Sequence, residues 1–339
     1  MVIDATNGND GLRGVVAIGA SAGGIEALSR LAAGLTADLP YAYLVVLHIP
    51  PGAPSILARI IDRSGPLPAV TAQDGTTLEP GHIYVSPPDR HLLVADDRVV
   101  LSQGPTENGH RPAINALFRS VAVEYGPFAI GVLLSGVLDD GVLGLAAIRS
   151  RGGTTIGQLP EDATFPALPT NAFAAGVLDR QARADDIGAV LKELSQEEFE
   201  DPDLKPDPAL DLENRIAMTA PFSTDFDTRE LGVPSAYTCP DCNGSLVSIS
   251  EGNFRCQVGH AWTADAFLAA RDREVEGALW VALRSLQEKA RLARKMADNA
   301  GPGPVSQHYN SLAKESERAL TVIGERLAAN APHRSDAGG

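Results

Sequence analysis

The sequence predicts an α/β fold, a mostly parallel, Rossmann-like three-layer sheet with helices on both faces, followed by a small cysteine-bearing module and an α-helical hairpin. Three observations predict it. Apolar runs alternate with helix-sized segments from Gly14 to about Leu178, all three cysteines fall between residues 239 and 256, and two long helical patterns meet at Gly301-Pro302-Gly303-Pro304. Runs that are apolar on both faces and separated by helices mark parallel strands buried between helix layers.

The strand candidates, in order, are VVAIG, YLVVLHI, HIYVSP, AIGVLLSG, TTIGQL and a final AAGVLD. HLLVADDRVVLSQ, with its Asp-Asp turn, reads as a hairpin beside the parallel strands, and residues 182–194 read as a closing helix. Between Gln196 and Glu230 there are eleven Asp/Glu against three Lys/Arg, with prolines at 202, 206, 208 and 221. Such a stretch has too little apolar surface to offset its ordering entropy, so 196–232 is expected to be a linker. The expected division is 1–195 for the α/β domain, 233–263 for the cysteine module, 264–330 for the hairpin and 331–339 for a disordered tail.

Composition limits function. A net charge of −15 over 339 residues disfavours a phosphate-backbone ligand, whose binding rests on Lys and Arg. The opening MVIDATNGNDGL lacks a basic region followed by an apolar one, and no apolar run reaches the roughly 18 residues of a membrane span. The expectation is a soluble cytoplasmic protein without membrane insertion or nucleic acid as partner. An odd, clustered set of cysteines does not suit a secreted disulfide scaffold.

Gly19-Ala20-Ser21-Ala22-Gly23 joins the first strand to a helix. Glycine is absent where a dinucleotide fingerprint needs it, and no Gly-Lys-Ser/Thr follows, so both phosphate-loop readings fail. Two readings remain: a nucleophile elbow that pushes the serine hydroxyl above the sheet, or a capping serine in a tight βα turn. A nucleophilic serine needs a base and the base an orienting acid. His48 ends one apolar run and Asp139-Asp140 follow another, so three strands deliver Ser, His and Asp to one sheet edge, where open α/β sheets form their crevice.

Several blocks in order then resemble the CheB-type chemotaxis methylesterases: VVAIGASAGGIEAL, LHIPPG, LEPGHIYVSPPDRHLLV, NGHRPAINALFRSVA, GVLLSGVLDDG and the segment ending DATFPALPTNAFAAG, together about residues 14–178. The resemblance implies a protein-glutamate methylesterase acting on glutamyl γ-methyl esters of a methylated chemoreceptor or related sensory protein, with glutamine side-chain amides as a second substrate. It implies Ser21 as nucleophile, His48 as base and Asp140 as the acid, with Asp139 its neighbour and rival, and no cofactor for catalysis. His110 and Arg111 match the family's His-Arg-Pro segment at the substrate cleft, where an arginine suits a receptor glutamate; a surface ion pair is the plainer role. The loop Ser135-Gly-Val137-Leu138-Asp-Asp-Gly141 departs from the family's usual Gly-Met-Gly, and Leu47 stands where glutamine is frequent, so the backbone near Leu138 is expected to differ. With no receiver-domain sequence ahead of Gly14, another control, or none, is expected. The alternative to the enzyme is a non-catalytic signalling adaptor on an esterase scaffold.

Cys239-x2-Cys242-x13-Cys256-x3-His260 uses every cysteine and has the spacing of a closed tetrahedral zinc site, so a structural zinc ribbon without catalytic role is expected. On the two helices, Val275, Leu279, Leu283, Leu286 and Leu312, Leu320, Ile323, Leu327 recur at helical spacing. They are expected to form the hairpin core, with self-association or docking of a protein partner as the second reading. The basic stretch Arg284, Lys289, Arg291, Arg294, Lys295 reads as a solvated or partner-facing surface.

Overall fold

The computed structural model describes residues 11–52, 54–197, 205–219 and 232–330. Its elements in chain order begin with β1 (Gly14–Ala20), α1 (Gly24–Gly34), β2 (Tyr41–Leu47), α2 (Leu57–Ser64), β3 (Ala69–Thr71), β4 (Ile83–Val85), β5 (His91–Ala95) and β6 (Arg98–Ser102). They continue with α3 (Ile114–Tyr125), β7 (Ala129–Leu133), α4 (Val142–Ser150), β8 (Thr154–Gln158), α5 (Ala167–Ala174), β9 (Arg180–Ala182), α6 (Ile187–Leu194) and α7 (Pro208–Met218). Last come β10 (Val233–Thr238), β11 (Ser245–Ser250), β12 (Asn253–Cys256), β13 (Ala261–Thr263), α8 (Ala264–Asn299) and α9 (Pro304–Asn330).

Seven parallel strands run in the order β3-β4-β2-β1-β7-β8-β9. Every residue of β1, β2 and β7 is buried, which is why these strands read as unbroken apolar runs rather than alternating ones. Successive β1 side chains serve opposite layers. Val16 and Ile18 join Leu28, Leu31, Ile61 and Leu191 in one core, while Val15 and Ala17 join Leu117, Phe118, Leu145 and Ile148 in the other. From β1 the chain moves to one side of the sheet through β2 and later to the other through β7, so the switch-point crevice lies beyond the carboxyl ends of these three strands.

Some expectations need correction. The last strand is Arg180–Ala182, just past AAGVLD, because Ala174 still closes α5 and a turn follows. Strand β3, only three residues long, was not foreseen, and the β5–β6 hairpin pairs with itself as a separate two-stranded sheet. The stretch expected to be a linker contains α7. Asp207 caps this helix by accepting from the Ala209 and Leu210 amides, and Pro208 occupies its first turn. Leu210, Leu212 and Ile216 are buried, each bringing roughly 1.5–3 kcal/mol, and Ser102 Oγ donates to the Ala217 carbonyl at 2.6 Å. Local acidity outvoted this short apolar face. Residues 198–204 and 220–231 of that stretch, like the expected tail 331–339, lie outside the described residues.

The chain forms two compact units, through Phe267 and from Leu268 onward. The cysteine module, a four-stranded antiparallel sheet β10-β11-β12-β13, therefore belongs to the same unit as the α/β sheet, and the boundary falls inside α8 rather than before it. In the second unit the hairpin seam is built mainly from small residues, Ala290, Ala293, Ala297, Ala313 and Ser316, with Leu327. Of the apolar residues expected there only Leu327 is buried, and Val275 is 56% exposed. Arg294 forks onto Glu317 at 2.9 and 3.0 Å, so part of the basic stretch serves the hairpin itself. Among the described residues no helix is long and apolar enough to cross a membrane.

Candidate active site

Ser21 follows β1 at a turn that only glycines can make. Gly23 has φ 71, and a Cβ there would lie 2.7 Å from Ser135 Oγ; a Cβ on Gly19 would meet Ile114 at 2.2 Å. The Ser21 amide donates to the Ser135 carbonyl at 2.9 Å and its own carbonyl accepts from Gly24 at 2.9 Å, tying the turn to the loop after β7. His48 follows β2, its amide donating to the Ala20 carbonyl at 3.2 Å. Its Nδ1 faces Ser21 Oγ at 3.3 Å and its Nε2 faces Asp140 Oδ2 at 2.7 Å, with the ring only 7% exposed. The three strand ends thus bring Ser21, His48 and Asp140 into one chain of contacts.

Asp140 is 3% exposed and is held from two sides. Besides His48, its carboxylate accepts from the Ile114 amide at 2.7 Å and the Asn115 amide at 3.3 Å, the first two residues of α3. In return Asn115 Oδ1 accepts from the Gly141 and Gly144 amides at 2.9 and 2.8 Å, at the start of α4. Each helix is capped by a side chain belonging to the other's entry. Burial pushes the Asp140 carboxyl up, but the hydrogen bond and charge of His48 and the Ile114 amide outweigh it and hold the group below the usual carboxylate range. Asn115 was missed at the sequence level; its only signal there was an amide in the first turn after Arg-Pro-Ala.

The neighbouring Asp139 faces elsewhere. Its Oδ1 accepts from Thr263 Oγ1 at 2.8 Å, and burial, with help from Asp140 and Asp265, pushes its carboxyl up to about 6. Leu138 sits at φ 60, the left-handed region that glycine adopts freely, so leucine here takes a glycine-like backbone, and its carbonyl accepts from Asn171 at 2.8 Å. His110 lies flat on His48, ring centroids 3.9 Å apart at 7°. Arg111, matched to the cleft at the sequence level, spends its guanidinium on Asp89 at 2.7 and 3.0 Å and on the Gln103 and Gly104 carbonyls at 3.2 and 2.8 Å.

A family model described as CheB methylesterase matches residues 16–191, half of the chain. The chain belongs to the CheB methylesterase family. A protein-glutamate methylesterase/protein-glutamine glutaminase of Anaeromyxobacter dehalogenans is 45% identical over 175 residues, 51% of each chain. Another so named, of Myxococcus xanthus, is 38% identical over 179 residues, 52% of this chain and 51% of its own. The chain thus spans about half the length of the curated relatives it matches. The crystal structure of the Thermotoga maritima CheB methylesterase catalytic domain superposes with a TM-score of 0.51 at 31% identity, covering 53% of this chain and 98% of that one. The α/β sheet is therefore the CheB catalytic fold, while the cysteine module and hairpin lie beyond the matched region.

In that module the ligand atoms of Cys239, Cys242, Cys256 and His260 all lie within 4.8 Å of one another. Cys242 and Cys256 sulfurs are 3.7 Å apart, and His260 Nδ1 is 3.7 and 3.5 Å from the Cys239 and Cys256 sulfurs. Ligands roughly 2.0–2.3 Å from a tetrahedral centre are separated by about 3.5–3.8 Å, so this donor set fits zinc. It does not fit a disulfide, whose sulfurs must approach to about 2.05 Å. Asn243 and Gly259, at φ 58 and 101, allow the two turns to close around the thiols.

Proposed function

We propose that this CheB-family chain is a protein-glutamate methylesterase of serine-hydrolase type, acting on glutamyl γ-methyl esters of a methylated chemoreceptor or related sensory protein. The observation that carries the reading is the unbroken chain Ser21 Oγ, His48 and Asp140 at 3.3 and 2.7 Å. Asp140 accepts the Nε2 proton of His48, which leaves the Nδ1 lone pair toward the serine. Ser21 Oγ attacks the γ-carbonyl carbon as His48 Nδ1 takes its proton. The Ala22 amide, on the residue after the nucleophile, is the donor this turn offers the oxyanion. Collapse breaks the bond to methoxide, which leaves as methanol with the proton from Nδ1. Water, deprotonated by the same nitrogen, then releases the glutamate carboxylate and restores Ser21.

Glutamine side-chain amides fit the same steps, more slowly, because the amide nitrogen must take a proton before it can leave as ammonia. No cofactor enters this chemistry. Cys239, Cys242, Cys256 and His260 would hold a structural zinc, with four protein ligands and no position open to substrate. His110 lines the cleft beside His48, whereas the engagement of Arg111 with Asp89 favours a supporting role over contact with substrate. The hairpin, with Trp280, Val281, Leu292 and Val322 all at least 55% exposed, is the surface proposed for a protein partner or a second copy.

Methanol release from a methylated receptor-helix fragment tests the reading. The full chain should release methanol and Ser21→Ala should not. Absence of release by the intact chain, with no labelling of Ser21 by a fluorophosphonate, would favour the adaptor.

A further inference from the structure

Among the described residues, the cysteine module meets the α/β part of its unit along the loop that carries His110. Strand β13 lies beside the loop that carries His110. Ala261 donates to the Thr106 carbonyl at 3.2 Å and accepts from the Asn108 amide at 2.8 Å, and the Thr263 amide donates to Asn108 Oδ1 at 2.9 Å. Within that loop Glu107 and His110 exchange two backbone hydrogen bonds at 3.1 and 2.8 Å. Trp262, 3% exposed, covers Gly109, where a Cβ would lie 3.4 Å from its ring. At the far end Thr263 Oγ1 reaches Asp139, next in sequence to the aspartate that holds His48.

A buried ion cluster fixes the same joint. Arg255 of β12, 1% exposed, donates to Glu213 of α7 at 2.9 Å and to Glu107 at 3.4 Å, and Arg119 of α3 also binds Glu107. These groups flank the cysteine site directly. Arg255 precedes Cys256 and Ala261 follows His260, while the Cys256 amide donates to the His260 carbonyl at 3.0 Å. Any ligand that fixes Cys256 relative to His260 therefore also fixes the residues that grip the loop.

We propose that the module is a working part of the esterase site: a divalent metal on Cys239, Cys242, Cys256 and His260 locks β13 against residues 106–110, and this keeps His110 stacked on His48 as a positioning residue. The inference rests on the esterase reading for its effect on rate, while the mechanical coupling is independent of it. Metal loss would release the loop and slow acylation. This gives the chain control through its own C-terminal module.

The test uses the full chain, zinc-loaded and after removal of zinc by a chelator, with zinc content measured in both. Hydrogen exchange at Asn108 and His110 should accelerate about tenfold on zinc removal while β1 amides stay protected, and returning zinc should restore protection. Fluorophosphonate labelling of Ser21 should slow by about tenfold in parallel. Unchanged exchange at these two amides in zinc-free protein would overturn the coupling; faster exchange with unchanged labelling would overturn the effect on the site. Should chelation also expose β1, Thr263→Val decides instead. It keeps every proposed metal ligand, so methanol release should fall about fivefold with zinc content unchanged, and a wild-type rate would refute the proposal. His110→Ala should lower kcat with KM held, and His110→Phe, which keeps a flat ring against His48, should recover most of it. Equal loss in both would refute the positioning role. Failure of the esterase reading looks different: Ser21 would never label, whatever the metal content.

Discussion

Two adjacent aspartates end the loop after β7, and replacing each by asparagine separates their roles. Asp140 Oδ2 accepts from the Ile114 amide and faces His48 Nε2, while Oδ1 accepts from the Asn115 amide, so in Asp140→Asn an NH2 in either place meets a donor and the charge that holds the His48 proton is gone. With the NH2 toward His48, Nε2 must accept and the imidazole proton moves to Nδ1, where a lone pair is needed; with the oxygen toward it, the imidazolium formed as Ser21 gives up its proton loses its counter-charge. Replacing the aspartate of a Ser-His-Asp triad by asparagine costs about 10⁴ in kcat, or roughly 5.5 kcal/mol of transition-state stabilisation. In Asp139→Asn the oxygen still accepts from Thr263 and the His48 contacts are untouched, so turnover should stay within about threefold of wild type. Methanol release at neutral pH measures both, with a thermal melt to show that each variant is folded. Loss of less than about tenfold in Asp140→Asn, or an equal loss in Asp139→Asn, would refute the assignment of the base's partner.

Other consequences follow from the same geometry. Glu107→Gln leaves Arg119 and Arg255 buried with half their compensation, and should lower unfolding stability by roughly 3–5 kcal/mol in a urea titration. The two arginines, against burial, hold the Glu107 carboxyl at about 2 in the folded chain against an ordinary 4.5, so its contribution is complete above pH 4.5 and is lost as pH falls toward 2. Asp139 has the opposite sign. Its folded value of about 6 exceeds the ordinary 3.8, so the folded chain holds a proton the unfolded one has released, and stability should decline as pH rises from 4 to 6, a slope that Asp139→Asn removes in pH-dependent melts. Gly23→Ala puts a Cβ 2.7 Å from Ser135 Oγ at φ 71, and should lose both activity and roughly 1–2 kcal/mol or more, measured by denaturation.

The sheet was legible because parallel strands buried on both faces spell themselves as apolar runs, and because Ser21, His48 and Asp140 each stand one or a few residues past such a run. The cysteine spacing was legible for a similar reason, since ligand geometry constrains sequence distance. What escaped was set by long-range partners. Glu107, Arg119, Glu213 and Arg255 lie in four different segments, and nothing in any one of them announces a shared buried cluster. Helix α7 escaped because its caps and three buried aliphatics sit inside an acidic stretch whose average masked them. Arg111 reads two ways in the sequence, because its type suits a substrate carboxylate while its length equally suits an ion pair, and in the structure it binds Asp89 and two carbonyls.

The exchange of caps between α3 and α4 shows why fold and chemistry cannot be separated here. A carboxylate buried this deeply would favour its neutral form, which could not hold the His48 proton. His48 first, and the Ile114 amide with it, reverse that preference, and Ile114 and Asn115 turn the positive end of a twelve-residue helix toward the carboxylate that faces His48. Asn115, by capping α4 in turn, fixes the loop from which Asp140 projects. The acid is thus tuned in part by a helix whose own N-terminus it completes, so removing it costs a helix cap, about 1 kcal/mol, in addition to the partner of His48. Because α3 also carries Arg119, which shares Glu107 with Arg255 of the cysteine module, the element that tunes the acid is the one on which the module is anchored. A disturbance in the module therefore reaches the candidate triad by two routes, through His110 to the base and through α3 to the acid.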